Sequence, residues 1–256
     1  MCSEQDLIEM AKREIEEEVE IQPAPDSIEN EMQSKGAIAH YDLHNDIIFY
    51  SARLCSLTTE NKFQIFMHEL AHAKDFRSCA RNGLLKILVK HDRVLDSTFA
   101  QANEIFNGTV EFQASNFLYS EFCYRVRNPR FNYLLEYERN PIFFLIPSVE
   151  YFCFGENSDL REQFRGKLHT SLGQRWLRVD SFLESVSFAD ATSFETEFLR
   201  LMDCLGFTVI IKTEPIKNRR SYFRVLHDST ATEVKVFELV NNLDIHRFFE
   251  CRVNSD

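Results

Sequence analysis

The segment His68-Glu69-Leu70-Ala71-His72 constrains this chain more than any other five residues. It lies inside residues 61–76, where Phe63, Phe66, Leu70 and Ala73 recur at helical spacing, and Thr58-Thr59 just upstream is a helix-capping pair. Residues four apart on a helix share a face, so both imidazoles can reach one cation. Glu69 follows the first histidine directly. From there it reaches a water on the cation but is too constrained to join the ligands. Zinc on two histidines needs a third protein ligand and an open position. It lowers the pKa of a bound water to about 7, and Glu69 is placed to take the proton as that water attacks a carbonyl. A buried helix with satisfied histidines is the competing account of the pentapeptide. The uncharged neighbours Met67, Leu70, Ala71 and Ala73 suit a helix threaded through a core, whereas Lys74 stands where an apolar residue is more usual.

A third ligand must come from further along. The pattern H-E-x-x-H-x-x-G-x-x-H fails, because Asp75 takes the glycine position and Ser78 the last histidine. Glu111, in Thr109-Val110-Glu111-Phe112-Gln113-Ala114-Ser115-Asn116-Phe117, is the leading candidate. Ala114 and Leu118 on its helix face predict that it points inward. The competing account is a solvated carboxylate in the first turn of a helix, where the dipole welcomes it. His91, Asp92, Asp96, Glu104 and Glu121 are rivals. For a donor to the developing oxyanion, Tyr119, Tyr124, Tyr133, Tyr137, Tyr151, His91 and His169 are all eligible, and the sequence does not choose among them.

These two motifs together resemble the gluzincin metallopeptidases, in which H-E-x-x-H is followed by a helix bearing E-x-x-x-D/N. The stretch Glu111-Phe112-Gln113-Ala114-Ser115-Asn116-Phe117 is similar to the E-x-x-A-N/D-x-F signature of ImmA/IrrE-like peptidases. The resemblance covers about residues 36–126. It implies that Glu111 binds zinc and that Ser115, in place of the usual acid or amide, orients a ligand histidine through its ring N–H. It also implies a zincin-like core and a peptide substrate paired to a strand edge, which falls on 46–52.

Charge bears on partners. Acidic residues number 40 and basic 29, for a net charge of −11. Residues 1–31 alone hold 11 acids and only Lys12 and Arg13, a net −9. The expectation is a nearly neutral body with an acidic N-terminal arm, which argues against coating of nucleic acid. A basic cluster at Lys212, Lys217, Arg219, Arg220 and Arg224 reads as a solvated hairpin before it reads as an exosite for an acidic partner. The seven cysteines include no C-x-x-C pair and read as small buried hydrophobes in a reducing compartment. No run approaches the roughly 18 apolar residues of a membrane span, and the N-terminus lacks an apolar signal core.

Gly and Pro total only 13 of 256 residues, which argues against a turn-dense all-β fold. Hydrophobic spacing predicts helices at 3–20, 61–76, 78–90, 92–106, 109–126, 130–139, 158–167, 174–186 and 190–204. Strands are predicted at 36–42, 45–54, 207–214, 221–228 and 233–240. The expected organisation is α+β: an acidic helical arm at 1–31, a zincin-like catalytic core at 32–140, and a C-terminal α+β extension at 141–256. The expected protein is a cytoplasmic zinc endopeptidase with a narrow protein substrate range, either a regulatory peptidase or an effector delivered into another cell. His68, His72 and Glu111 would bind the metal, Glu69 would act as general base and Ser115 would support a ligand. A non-catalytic interaction module on the same scaffold is the alternative, and a DNA-associated protease with the same pentapeptide is a third, weakened by the missing zinc-ribbon cysteines.

Overall fold

The structure is a computed structural model, and it describes residues 3–124, 191–216 and 223–241. The chain is mixed α+β. Among the described residues it forms five α-helices and two three-stranded sheets. It divides into two compact units, one made of residues 1–85 and 215–234, the other of 86–214 and 235–256.

The first unit opens with α1 (Glu4–Ile15). Its start is set by a reciprocal cap: Ser3 Oγ accepts the Asp6 N–H at 3.1 Å, and Asp6 accepts the Ser3 N–H at 2.8 Å. Leu7, Ile8, Ala11 and Ile15 form its buried stripe, which packs on α3 (Thr59–Arg81). The first helix of the acidic segment is therefore docked on the histidine helix, where Glu4 also pairs with Lys62 at 3.0 Å. Lys74 closes this junction by donating to the Ile15 carbonyl at 2.7 Å. A cation at a helix C-terminus is favourable, which accounts for a lysine on a largely buried helix. The helix predicted for 3–20 stops at Ile15, because Glu16 takes a left-handed conformation (φ 57°).

Two elements between Val19 and Lys35 were not predicted: β1 (Glu20–Pro23) and α2 (Asp26–Ser34). The predicted pair of strands forms as β2 (Ala39–Asp42) and β3 (Ile47–Tyr50), joined through a turn in which the Asp46 N–H donates to the Asp42 carbonyl. The sheet order is β1-β3-β2, with β3 parallel to β1 and antiparallel to β2. This corrects the expectation of an exposed edge at 46–52. The strand there is the central one, and β2 is the edge strand that packs against α3. Residues 223–228, the described part of the strand expected at 221–228, do not form a strand. They make a 3-10 turn (Arg224–Leu226) that packs on α3 and buries Val225 and Leu226.

The second unit contains most of β4 (Leu84–Lys90), with α4 (Asp96–Phe122), α5 (Ala191–Leu205), β5 (Thr208–Pro215) and β6 (Glu233–Val240); its sheet order is β4-β6-β5. Residues 84–90 form a strand where a helix was expected, and the two helices expected at 92–106 and 109–126 are one continuous α4. Phe106, Phe194, Phe198 and Phe237 meet edge to face and face to face with centroids 5.0–6.2 Å apart. The fully buried Lys86 places its ammonium 4.0 Å from the centre of the Phe194 ring and donates to Gln113. The helices expected at 130–139, 158–167 and 174–186 lie outside the described residues.

Among the described residues, no helix is long and apolar enough to cross a membrane. The described cysteines, Cys55, Cys79, Cys123 and Cys204, are all free thiols. Only Cys79 is buried, so the buried-hydrophobe expectation fails for Cys55 and Cys123, which are exposed.

Candidate metal centre

The histidine helix begins where Thr58 Oγ1 accepts the Asn61 N–H at 3.3 Å. It runs through the core of its unit on Phe66, Met67, Leu70, Ala71 and Ala73, all essentially inaccessible to solvent. His72 is buried and His68 half-buried. Their Nε2 atoms stand 3.1 Å apart, with the rings nearly perpendicular at 88°. Two nitrogens each 2.0–2.1 Å from one zinc ion, at an angle of about 100°, would be separated by about this distance. The pair thus has the spacing of two metal ligands, in a sector walled by Phe76, whose ring centre lies 6.5 Å from that of His72.

Glu69 is half-buried, and its Oε2 accepts the backbone N–H of Tyr41 on β2 at 2.8 Å. That contact went unanticipated, since nothing in the spacing of residues 41 and 69 signals it. Tyr41 is anchored at its other end as well. Its hydroxyl donates to Asp46 Oδ1 at 2.6 Å, and its ring lies 5.8 Å from that of Phe76. Asp46 in turn receives a two-pronged contact from Arg77, Nε to Oδ1 and Nη2 to Oδ2, both at 2.9 Å. The same guanidinium reaches Glu17 at 2.5 Å and the Glu18 carbonyl at 2.6 Å. Burial pulls the Arg77 value down, but the carboxylates of Asp46 and Glu17 outweigh it and hold the value above the ordinary one.

Glu111 and Ser115 belong to the second unit, on α4. Glu111 is exposed, contrary to the expected inward orientation, while Ser115, one turn on, is buried. Because α4 begins at Asp96, Glu111 sits mid-helix, which removes the first-turn account of this carboxylate. Thr109 lies inside the same helix, where its hydroxyl donates back to the Ile105 carbonyl at 2.7 Å.

The rivals have other engagements within the same unit. His91 Nδ1 accepts the Arg93 N–H at 3.3 Å, and Asp96 pairs with Lys90. Glu104 and Glu121, both exposed, lie seven and ten residues from Glu111, about 10 and 15 Å along the axis, so they cannot take its place. Tyr133, Tyr137, Tyr151 and His169 lie outside the described residues. Comparison of the chain with protein-family models, curated proteins and solved structures finds no match in any of the three.

Proposed function

We propose that this chain is a zinc-dependent peptidase with a zincin-like core, in which His68, His72 and Glu111 hold the metal. The observation that carries this reading is the 3.1 Å approach of the two imidazole nitrogens on a buried helix, with Glu69 between them in sequence. Two neutral imidazoles and a carboxylate are the donor set of a catalytic zinc site, which keeps a position open for water. Bound there, zinc would acidify a water and polarise the scissile carbonyl.

The chain's own residues supply the rest. Glu69 accepts the proton of the attacking water and returns it to the departing amine nitrogen as the C–N bond breaks. Ser115 accepts a ring N–H from a ligand histidine and fixes its tautomer. The substrate is a polypeptide: β2 is an edge strand packed on α3, and extended peptides pair with strand edges through their main chain.

Metal analysis and substrate profiling test this reading. One zinc per chain is expected in the wild type and in Glu69→Gln, with loss in His68→Ala and Glu111→Ala. A proteome-wide comparison of new N-termini should show cleavages made by wild type and not by Glu69→Gln. A protein that takes up no zinc from zinc-containing buffer would falsify the proposal.

A second reading draws on the Tyr41–Glu69 hydrogen bond, which gives Glu69 a purely structural task in tying β2 to α3. On that reading the chain is a binding module whose histidines serve packing. It predicts normal folding without metal and no cleavage in the same comparison.

A further inference from the structure

A line of hydrogen bonds connects the C-terminal end of α1 to the proposed general base. Glu17 and the Glu18 carbonyl hold Arg77; Arg77 holds Asp46 through two nitrogens; Asp46 accepts from the Tyr41 hydroxyl; and the Tyr41 backbone N–H donates to Glu69. Each link is 2.5–2.9 Å long and each lies within the first unit.

We propose that Tyr41, Asp46 and Arg77 are positioning residues that aim the Glu69 carboxylate. This rests on the reading of Glu69 as the base. A glutamate samples several staggered wells, and few of them present an oxygen to a water at a fixed point. Fixing Oε2 on a strand N–H reduces that choice and directs the other oxygen. The N–H can serve as an anchor because Tyr41 is itself held twice, by its ladder position opposite Ile48 and by its hydroxyl on Asp46.

Asp46 takes a left-handed conformation (φ 57°), which non-glycine residues hold at an energetic cost. The planar Arg77 fork offsets that cost and sets the direction of the carboxylate. Arg77 lies eight residues beyond Glu69 on α3, so the base and its support share one rigid helix.

Two measurements test the proposal. The first uses the full chain without metal or substrate and follows hydrogen exchange at the Tyr41 amide. Glu69→Ala, Asp46→Asn and Arg77→Lys should each raise its rate on the order of tenfold, while the amides of the central strand β3 keep their protection. An unchanged Tyr41 rate in Asp46→Asn and Arg77→Lys overturns the link.

The second measurement is kinetic and uses as probe a peptide spanning a cleavage site found with the wild type. Tyr41→Phe, which deletes one hydroxyl and keeps the fold, should lower kcat about tenfold, and Arg77→Lys at least as much. KM should stay within about twofold and zinc content should not change, because misaiming a reacting group costs rate before binding. Glu29→Ala serves as control: it removes the carboxylate that accepts from the buried Ser51 hydroxyl in the same unit, outside the line, and should leave kcat alone. A wild-type kcat in Tyr41→Phe and Arg77→Lys overturns the positioning role and leaves the peptidase reading intact. A wild type that cleaves nothing overturns the peptidase reading, and the positioning role falls with it.

Discussion

His68 and His72 bring their Nε2 atoms to 3.1 Å without any charged side chain between them in the sequence apart from Glu69. At that separation both nitrogens can face one cation, and protons compete with a metal for the same lone pairs. Zinc affinity should therefore fall as pH is lowered. Chelator competition should show His72→Ala weakening zinc by on the order of a hundredfold or more, and Glu69→Gln by much less. Equal losses in both variants would contradict the assigned roles.

Alkaline stability offers a test that needs no metal. Burial raises the Tyr41 phenol above its ordinary value of about 10, and the Asp46 carboxylate beside it adds to the shift. A raised folded-state value means that folding favours the neutral phenol. Stability is then fully present below about pH 10 and is lost as pH rises from there toward the folded-state value. Urea midpoints at pH 9 and 11 should fall more in wild type than in Tyr41→Phe. Parallel falls in the two proteins would contradict the burial of this hydroxyl.

Docking of α1 should be a large part of the first unit's stability. Ile15 is fully buried against the histidine helix's side of the unit, while Met10 on the outer face is half exposed at 51%. Ile15→Ala should cost about 2–4 kcal/mol through lost burial and a residual cavity. Met10→Ala should stay within about 0.5 kcal/mol. Chemical denaturation curves of the two variants give the comparison, and similar midpoints would mean that the acidic helix is only loosely held.

Two glycines separate strain from crowding. Gly83 (φ +72°) would place a Cβ 2.9 Å from the Glu233 carbonyl oxygen, whereas Gly36 (φ +68°) has open space around it. Gly36→Ala should cost about 1 kcal/mol, the penalty of a left-handed residue alone. Gly83→Ala should cost about 2 kcal/mol or more, since backbone rather than a flexible side chain must yield. Thermal melts that rank the two in the opposite order would contradict this packing.

The histidine helix was legible because several independent signals agreed: a threonine cap, an apolar face and the paired histidines. Residues 84–90 were not. Leu84, Leu85, Lys86 and Leu88 are all buried, and a strand covered on both sides loses the alternation that distinguishes it from a helix. Gly83 was the overlooked stop signal. Asn107-Gly108, the gap between the helices expected at 92–106 and 109–126, lies inside the unbroken α4. A glycine inside a helix costs about 1 kcal/mol, and the burial of Ile105, Phe106, Thr109 and Val110 around it outweighs that cost. Pro23 and Pro25 concealed β1 and α2, since proline is compatible with an edge strand and with a helix start. At the site, Glu69 stood out within the pentapeptide, but its partner Tyr41 is 28 residues distant and joined through a backbone atom, which no side-chain pattern encodes.

The first unit is discontinuous: the chain leaves it after Leu85 and returns only at Pro215, where the Arg224–Leu226 turn comes to rest on the histidine helix. During synthesis from the N-terminus, the histidine pair would emerge well before the segment that completes its surroundings. A truncated chain ending before residue 215 would carry the whole pentapeptide on an unfinished body. The order of manufacture thus sets a delay between making the histidine pair and completing the unit that holds it, and a nascent chain stalled in that interval should be readily digested by added protease.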